Sequence, residues 1–361
     1  MRGAVLNTSP GQLEITELAI DSPAPREVLV RTAAAGLCHS DLHMIDGSLP
    51  GRLPACLGHE SAGVVEAVGD QVDYLKPGDH VISCLSVFCG HCEHCLSGYP
   101  NRCQSTEMRR GRDERPRLSL PDGTPINQAF QLSSFAELML VHEHALVKIT
   151  DEIPLDRAAL IGCGVMTGVG AVFHTAQVRP GQTVAVIGCG GIGLNVVQGA
   201  RLAGAGRIIA VDRVPSKLAL AREFGATDTV DASSTDPVPA VTELTGGGVD
   251  HAFEAIGLKA TAEAAYGMLK SGGTATVVGL LPVGATIEIP GLSLLGERKL
   301  QGSLMGSNRF RVDMPQLVDL YLQGRLELDR LISARISLDQ VNDGFAAMQG
   351  GEVARSVIVF D

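Results

Sequence analysis

The sequence predicts an α/β chain in two parts, a β-rich half followed by a doubly wound parallel sheet. Three observations carry this reading. The chain has 361 residues, too many for one small compact domain and enough for two real cores. Short apolar runs broken by turn signals fill the first half. From about residue 164 apolar strands alternate with helical stretches, the pattern of parallel strands covered by helices on both faces.

Taken in order, VLVRT (28–32), GVVEAVG (63–69) and HVIS (80–83) are short apolar runs with partial alternation, and Lys76-Pro77-Gly78-Asp79 turns the chain between two of them. LMLV (138–141) and LVKI (146–149) continue the β pattern. TVAVIG (183–188) reads as a buried strand and leads into a helix ending near Ala203. RIIAVD (207–212) is a second strand. A helix over 216–225 follows, with Pro215 at its first position, where the missing N–H is harmless. TDTV (227–230), VDHAFEA (249–255) and TATVVG (274–279) are further strands. Segments 314–324 and 338–348 read as helices, and SVIVF (356–360) closes the chain as a strand. No internal repeat or low-complexity tract is visible.

Composition narrows the function. Hydrophobic residues are 45% and charged residues 19%, which excludes a disordered chain. With 29 Lys+Arg against 40 Asp+Glu the net charge is −11, which argues against a nucleic-acid partner. Aromatic residues are 4% and Trp is absent, so there is no platform for stacked bases. Residues 158–200 carry a single charge, Arg179, but glycines interrupt the stretch on both sides. It reads as a buried nucleotide-binding core, and no membrane partner is expected. The N-terminus reaches Glu14 before any long apolar run, so a signal peptide is not expected and the cytoplasm is the default location. The nine cysteines, odd in number, then read as metal ligands more readily than as disulfides.

Gly188-Cys189-Gly190-Gly191-Ile192-Gly193 fits G-x-G-x-x-G between a strand and a helix, and Asp212 ends the next strand 19 residues after Gly193. That context makes it a Rossmann dinucleotide site. Gly188 permits the tight turn, Gly190 lets the backbone approach a pyrophosphate, and Gly193 lets helix and strand pack closely. Asp212 would accept from the adenosine ribose diol and repel a 2′-phosphate, favouring NAD over NADP, although Arg213 beside it works against that preference.

Cys89, Cys92, Cys95 and Cys103 fall within 15 residues. Four thiolates close a tetrahedral shell and leave no position for substrate, so the loop 89–103 reads as a structural zinc site. Spacing alone leaves an iron–sulfur cluster as the alternative. A second group is Cys38-His39-Ser40-Asp41-Leu42-His43 with Gly58-His59-Glu60. A thiolate, an imidazole and nearby carboxylates could hold zinc with a free position, but no spacing rule identifies a third protein ligand.

These motifs together carry a resemblance. GLCHSDLH (36–43), GHESAG (58–63), the four-cysteine loop, IGCGVMTG (161–168), VIGCGGIGL (186–194) and GEVARSVIVF (351–360) make the chain resemble a zinc-dependent alcohol dehydrogenase of the medium-chain dehydrogenase/reductase superfamily over nearly its whole length. The resemblance implies a β-rich GroES-like catalytic domain at 1–164, a Rossmann domain at 165–304 and a return segment at 305–361 completing the first. It implies two zinc ions per subunit and NAD. The catalytic zinc would be held by Cys38, His59 and Cys163, the Cys₂His set known for alcohol dehydrogenases. Glu60 resembles a neighbouring carboxylate or alternate ligand, and Asp41 the carboxylate that steadies His59. Ser40 and His43 resemble a proton relay. His39 and Arg355 match pyrophosphate contacts, Lys217 an adenosine-ribose contact and Thr167 a nicotinamide-side contact.

The implied reaction interconverts an alcohol and its aldehyde or ketone by hydride transfer. Leu85, Phe130 and Leu304 align with a substrate pocket. The basic stretch from Arg109 through Arg110 and Arg112 to Arg117 could meet an anionic substrate, with a solvated loop as the plainer reading. The long segment from Cys103 to Phe135 resembles that of dimeric members, so a homodimer is expected, with strands near 286–289 and 300–304 as its interface. Competing readings are a thiol-dependent formaldehyde dehydrogenase acting on an S-hydroxymethyl adduct, a polyol dehydrogenase, and a non-catalytic zinc- and NAD-binding redox sensor.

Overall fold

The computed structural model describes every residue except Arg112, Glu352, Val353 and Asp361. It divides into two compact units, one made of Met1–Cys163 with Arg309–Asp361 and the other of Gly164–Asn308. The divisions expected from the sequence, at 164/165 and 304/305, lie one residue after and four residues before these.

In the first unit a sheet forms around the ten-residue strand Glu27–Gly36. On one side it pairs antiparallel with Glu60–Val68, in a register that sets Gly36 opposite Glu60. Its other edge is shared: Leu138–His142 covers the first half, and Arg355–Val359 from the return segment covers the last residues. The return segment is therefore pinned by backbone hydrogen bonds as well as by packing. It brings its own strand, Ile332–Ile336, parallel to Arg355–Val359. A second sheet contains Arg2–Leu6, Leu13–Glu17 and four shorter strands. Apolar alternation explains the elements: Val28, Val30, Val65, Val81, Met139 and Val141 fill one buried cluster, and Leu6, Leu37, Leu57, Phe135 and Ile358 another.

The second unit is one six-stranded sheet in the order Asp228–Asp231, Arg207–Asp212, Thr183–Ile187, Val249–Glu254, Leu269–Val277, Lys299–Gly302. Every pairing is parallel. This is the doubly wound order in which ligands bind at the carboxyl ends of the strands, where the chain reverses direction across the sheet. Its central strands are apolar and buried apart from their polar end residues, as strands covered on both faces must be.

Two expectations change. Residues 286–289 form no strand: the edge they would extend is taken by Lys299–Gly302, and Pro282, Gly284 and Pro290 bracket them. The helix near 314–324 starts earlier, at Phe310, and runs to Leu322. Among the described residues Leu155–Ala176 is the one helix apolar and long enough to cross a membrane, and 83% of its most apolar stretch is buried inside the protein.

Candidate metal and dinucleotide sites

The strand register explains how the first ligands meet. Gly36 faces Glu60 across an antiparallel pair. Cys38, just past one strand, and His59, just before the other, therefore leave the sheet at the same end. Cys163 arrives from elsewhere. It lies in a π-helical turn, Ile161–Val165, within the apolar helix, and a Cβ on Gly162 would lie 2.8 Å from the Ser83 carbonyl. Only glycine lets this turn press onto the strands. The Sγ atoms of Cys38 and Cys163 are 4.0 Å apart, and all three ligand atoms lie within 4.8 Å of one another.

The surroundings are those of a cation site. His59 is fully buried, and its Nδ1 lies 3.2 and 3.1 Å from the two Asp41 oxygens. That contact leaves Nε2 free to ligate, and Nε2 is buried with no hydrogen-bond partner. Asp41 is itself fixed by the Gly58 N–H at 3.0 Å. The hydrogen bond from Cys163 holds the Cys38 thiol well below its ordinary pKa, against the cost of burial, and His59 adds to this. The same contact and burial push Cys163 well up. Burial opposes a charged His59, but Asp41 and the Cys38 thiolate outweigh it and raise the imidazole. A buried set of two sulfurs and one imidazole, with one ring nitrogen already steadied by a carboxylate, fits zinc.

Glu60 and Arg355 form the floor of this site. Arg355 is 4% exposed; its Nη1 donates to the Leu37 carbonyl at 3.0 Å and lies 3.8 Å from Glu60 Oε2. The residue expected on a cofactor phosphate thus has its guanidinium charge among the metal ligands. Gly36 makes room for Glu60, because a Cβ there would lie 2.3 Å from Glu60 Oε1. No sequence motif announces that role.

The short helix His39–Ile45 carries the relay candidates. Ser40 Oγ is 3.8 Å from Cys38 Sγ. His43 is half-buried, its Nδ1 3.6 Å from Asp46 Oδ2, and among the described residues no hydrogen bond joins it to Ser40. His39 is exposed, with its ring centroid 6.4 Å from that of His43.

Cys89, Cys92, Cys95 and Cys103 converge within 4.8 Å of one another. The N–H groups of Cys92 and Cys89 point at the sulfurs of Cys89 and Cys103, each at 3.3 Å, as in thiolate metal loops. Cys89 is drawn down to about 6, where backbone donors from His91 and Cys92 outweigh desolvation, while Cys95 is pushed up to about 12 by desolvation and its neighbouring thiols. Four converging sulfurs fit a structural zinc, and the exposed His91 and Glu107 side chains also come within 4.8 Å of the Cys89 sulfur.

In the second unit the three glycines have distinct work. Gly188 has φ +93°, available without strain only to glycine. A Cβ on Gly190 would meet open space, and one on Gly193 would lie 1.7 Å from the Gly188 carbonyl. The 12-residue helix that opens at Gly191 has Gly190 as its N-cap and no side chain capping it. Its first N–H groups, including that of Ile192, are left for an anion. Asp212 is held at its strand end by the N–H groups of Cys189 at 2.8 Å and Val214 at 3.0 Å. Lys217 is half-buried on the next helix and works against the burial that pushes Cys189 up to about 12. Thr167 is 5% exposed, with Oγ1 3.5 Å from Met305 Sδ. This site fits a dinucleotide.

Of the expected pocket residues, Leu85 and Phe130 line a cavity of about 820 Å³ in the first unit. Leu304 belongs to the second unit and is 61% exposed. The Phe130 ring lies 4.6 Å from that of His59. In the basic stretch, Arg110 and Arg117 both grip Glu27, and Arg112 lies outside the described residues.

Residues 24–151 match the family described as alcohol dehydrogenase GroES-like domain, and residues 191–323 match zinc-binding dehydrogenase. The S-(hydroxymethyl)glutathione dehydrogenase of Paracoccus denitrificans is 38% identical over 99% of both chains. An alcohol dehydrogenase zinc-binding domain protein from Burkholderia ambifaria superposes with TM-score 0.95 at 40% identity, covering 100% of this chain and 98% of that one. The benzyl alcohol dehydrogenase of Acinetobacter calcoaceticus superposes with TM-score 0.92 at 34% identity, covering 100% and 99%.

Proposed function

The chain belongs to the zinc-dependent alcohol dehydrogenases of the medium-chain dehydrogenase/reductase superfamily, and on that premise we propose how its residues carry the reaction and what they act on. It is a zinc- and NAD-dependent enzyme that interconverts an alcohol with its aldehyde or ketone. The convergence of Cys38, His59 and Cys163 in one buried cluster is the observation that carries the catalytic assignment. Cys38, His59 and Cys163 would hold a zinc supplying Lewis acidity toward an alcohol oxygen, and the glycine turn would hold NAD, which supplies the hydride-accepting chemistry.

The rest is the work of the chain. Asp41 keeps His59 in the tautomer that presents Nε2. Glu60 and Arg355 balance charge beneath the thiolates. The Ser40 hydroxyl, beside Cys38, takes the alcohol proton, and His43 passes it to solvent; because the two are not directly bonded, transfer needs an intervening hydroxyl. An imidazole suits that exit because its ordinary pKa is near neutrality. Asp212 selects a ribose diol over a 2′-phosphate, which favours NAD over NADP.

The relatives named for S-(hydroxymethyl)glutathione support a second reading, a thiol-dependent formaldehyde dehydrogenase. One experiment separates the two: the metal-loaded enzyme is offered a panel of alcohols and an S-hydroxymethyl thiol adduct, with NAD or NADP, and reduced nicotinamide is followed. Turnover of plain alcohols with NAD is expected. Turnover confined to the adduct favours the second reading, and none anywhere removes both.

The exposed apolar residues Val283, Leu292 and Leu295, each about 80% exposed near the sheet edge, support a homodimer. Leu292→Glu with Leu295→Glu should shift the sedimenting species to half the mass; an unchanged mass overturns this assembly. That none of the nine cysteines forms a disulfide supports residence in the reducing cytoplasm, which cell fractionation tests.

A further inference from the structure

The cavity beside the metal site is large for a simple alcohol. At about 820 Å³ it falls in the range that holds molecules of drug size. One wall is apolar: Met44, Leu49, Leu85 and Phe130. That wall begins at the metal ligands, since Phe130 packs on the His59 ring at 4.6 Å. It is also built at a cost. Phe130, Gln131 and Ser133 all hold φ between 52° and 65°, a left-handed conformation that side chains disfavour. Gln131 lines the cavity, and its Oε1 is buried without a hydrogen-bond partner.

The charge in the lining is of one sign. Arg52, Arg109, Arg110 and Arg117 line the cavity, and among the described residues no Asp, Glu or Lys does. Two of the four are already used. Arg110 binds Asp21 at 2.6 Å and Glu27 at 2.5 Å, and Arg117 binds Glu27 at 2.7 Å and the Met108 carbonyl at 2.7 Å. These pairs fix the Arg110 and Arg117 side chains in place. Arg52 and Arg109 are exposed, and their side chains have neither a hydrogen bond nor an ion pair among the described residues. In a chain of net charge −11, two unneutralised guanidinium groups open onto a cavity that holds no carboxylate.

We propose that the alcohol oxidised here is anionic, with its hydroxyl at the metal end of the cavity, an apolar body along the Leu85–Phe130 wall and a carboxylate received by Arg52 and Arg109. A guanidinium suits a carboxylate because its planar fork can bind both oxygens. A zwitterionic thiol adduct fits less well, because its ammonium would meet no acid in the lining. This inference rests on the alcohol dehydrogenase reading above.

The test compares 4-(hydroxymethyl)benzoate with 4-methylbenzyl alcohol, two probes of similar shape that differ in charge, on the zinc-loaded enzyme with NAD. The kcat/KM ratio should favour the carboxylate by about tenfold or more. Added salt should erode that preference through KM, because exposed guanidinium groups are screened. In the Arg52→Gln/Arg109→Gln double variant the ratio should fall at least about tenfold. Calorimetry gives a readout free of turnover: 4-methylbenzoate should bind the wild-type enzyme more tightly than the double variant. A wild-type ratio at or below one, a ratio indifferent to salt, or equal 4-methylbenzoate affinity in both proteins overturns the inference while leaving the dehydrogenase intact. Absence of turnover with every alcohol overturns the dehydrogenase reading, and this inference with it.

Discussion

At the scale of residues, the catalytic site depends on three ligands that are useful only together. Replacing Cys38 removes one sulfur from a buried set that otherwise leaves His59 Nε2 without a partner. Cys38→Ala should lower bound zinc from two ions to one per chain by elemental analysis and abolish turnover; retained turnover would refute the ligand assignment. His43 tests a different step. His43→Ala should slow oxidation by up to about 10²-fold, chiefly at the acid end of the pH range, where the proton is hardest to lose. A pH–rate profile of unchanged shape counts against the relay. Glu60 and Gly36 show how closely neighbouring residues are fitted: the carboxylate occupies the space that any larger residue at 36 would need.

At the scale of elements, the four-cysteine loop is tied to the core of the first unit. It packs on the cluster that contains Val87, Cys89 and Met108. Nearby, Arg311 from the return segment donates to the Leu146 and Glu143 carbonyls and stacks on Tyr74 at 4.3 Å. Cys103→Ser should lose one zinc while keeping the fluorescence or binding signature of NAD, and should lower the melting temperature by several degrees. Melting unchanged alongside the lost zinc would show that the metal in the loop does not stabilise the fold. The segment 286–289 teaches the opposite lesson. It has strand-like composition but forms no strand within the chain, because pairing needs a free edge as well as propensity.

At the scale of the whole molecule, stability should depend on pH through groups far from the chemistry. His142 is 8% exposed, and burial, with His144, Arg26 and Arg117 nearby, lowers it from 6.5 to about 3. A base held neutral by the fold contributes fully above its unfolded pKa. It loses that contribution as pH falls from 6.5 toward about 3, by about 1.4 kcal/mol per pH unit. Glu27, held below its usual range by Arg110 and Arg117 despite burial, adds a loss beginning lower, below pH 4.5. His142→Asn should therefore flatten the decline of the urea midpoint between pH 6.5 and 5 relative to wild type; parallel curves would exclude His142 as the source.

Much of this was legible in the residues. The Rossmann strands, the glycine turn and Asp212 announce themselves because each is local: a strand, a tight turn and a helix start lie within a few residues of one another. The four cysteines are legible for the same reason. Cys163 was not, except by resemblance, since 125 residues separate it from Cys38 and only the π-turn, the close approach at Gly162 and the antiparallel register bring their sulfurs to 4.0 Å. Nor could sequence tell which arginines of the basic stretch are free. Arg110 and Arg117 are consumed by Glu27, more than eighty residues earlier, while Arg109 is left facing the cavity. Sequence alone determines the chemistry that neighbours along the chain can perform; which distant side chains share a site, and which charges remain unpaired, is decided by packing, because only the folded chain fixes distances between residues far apart in order.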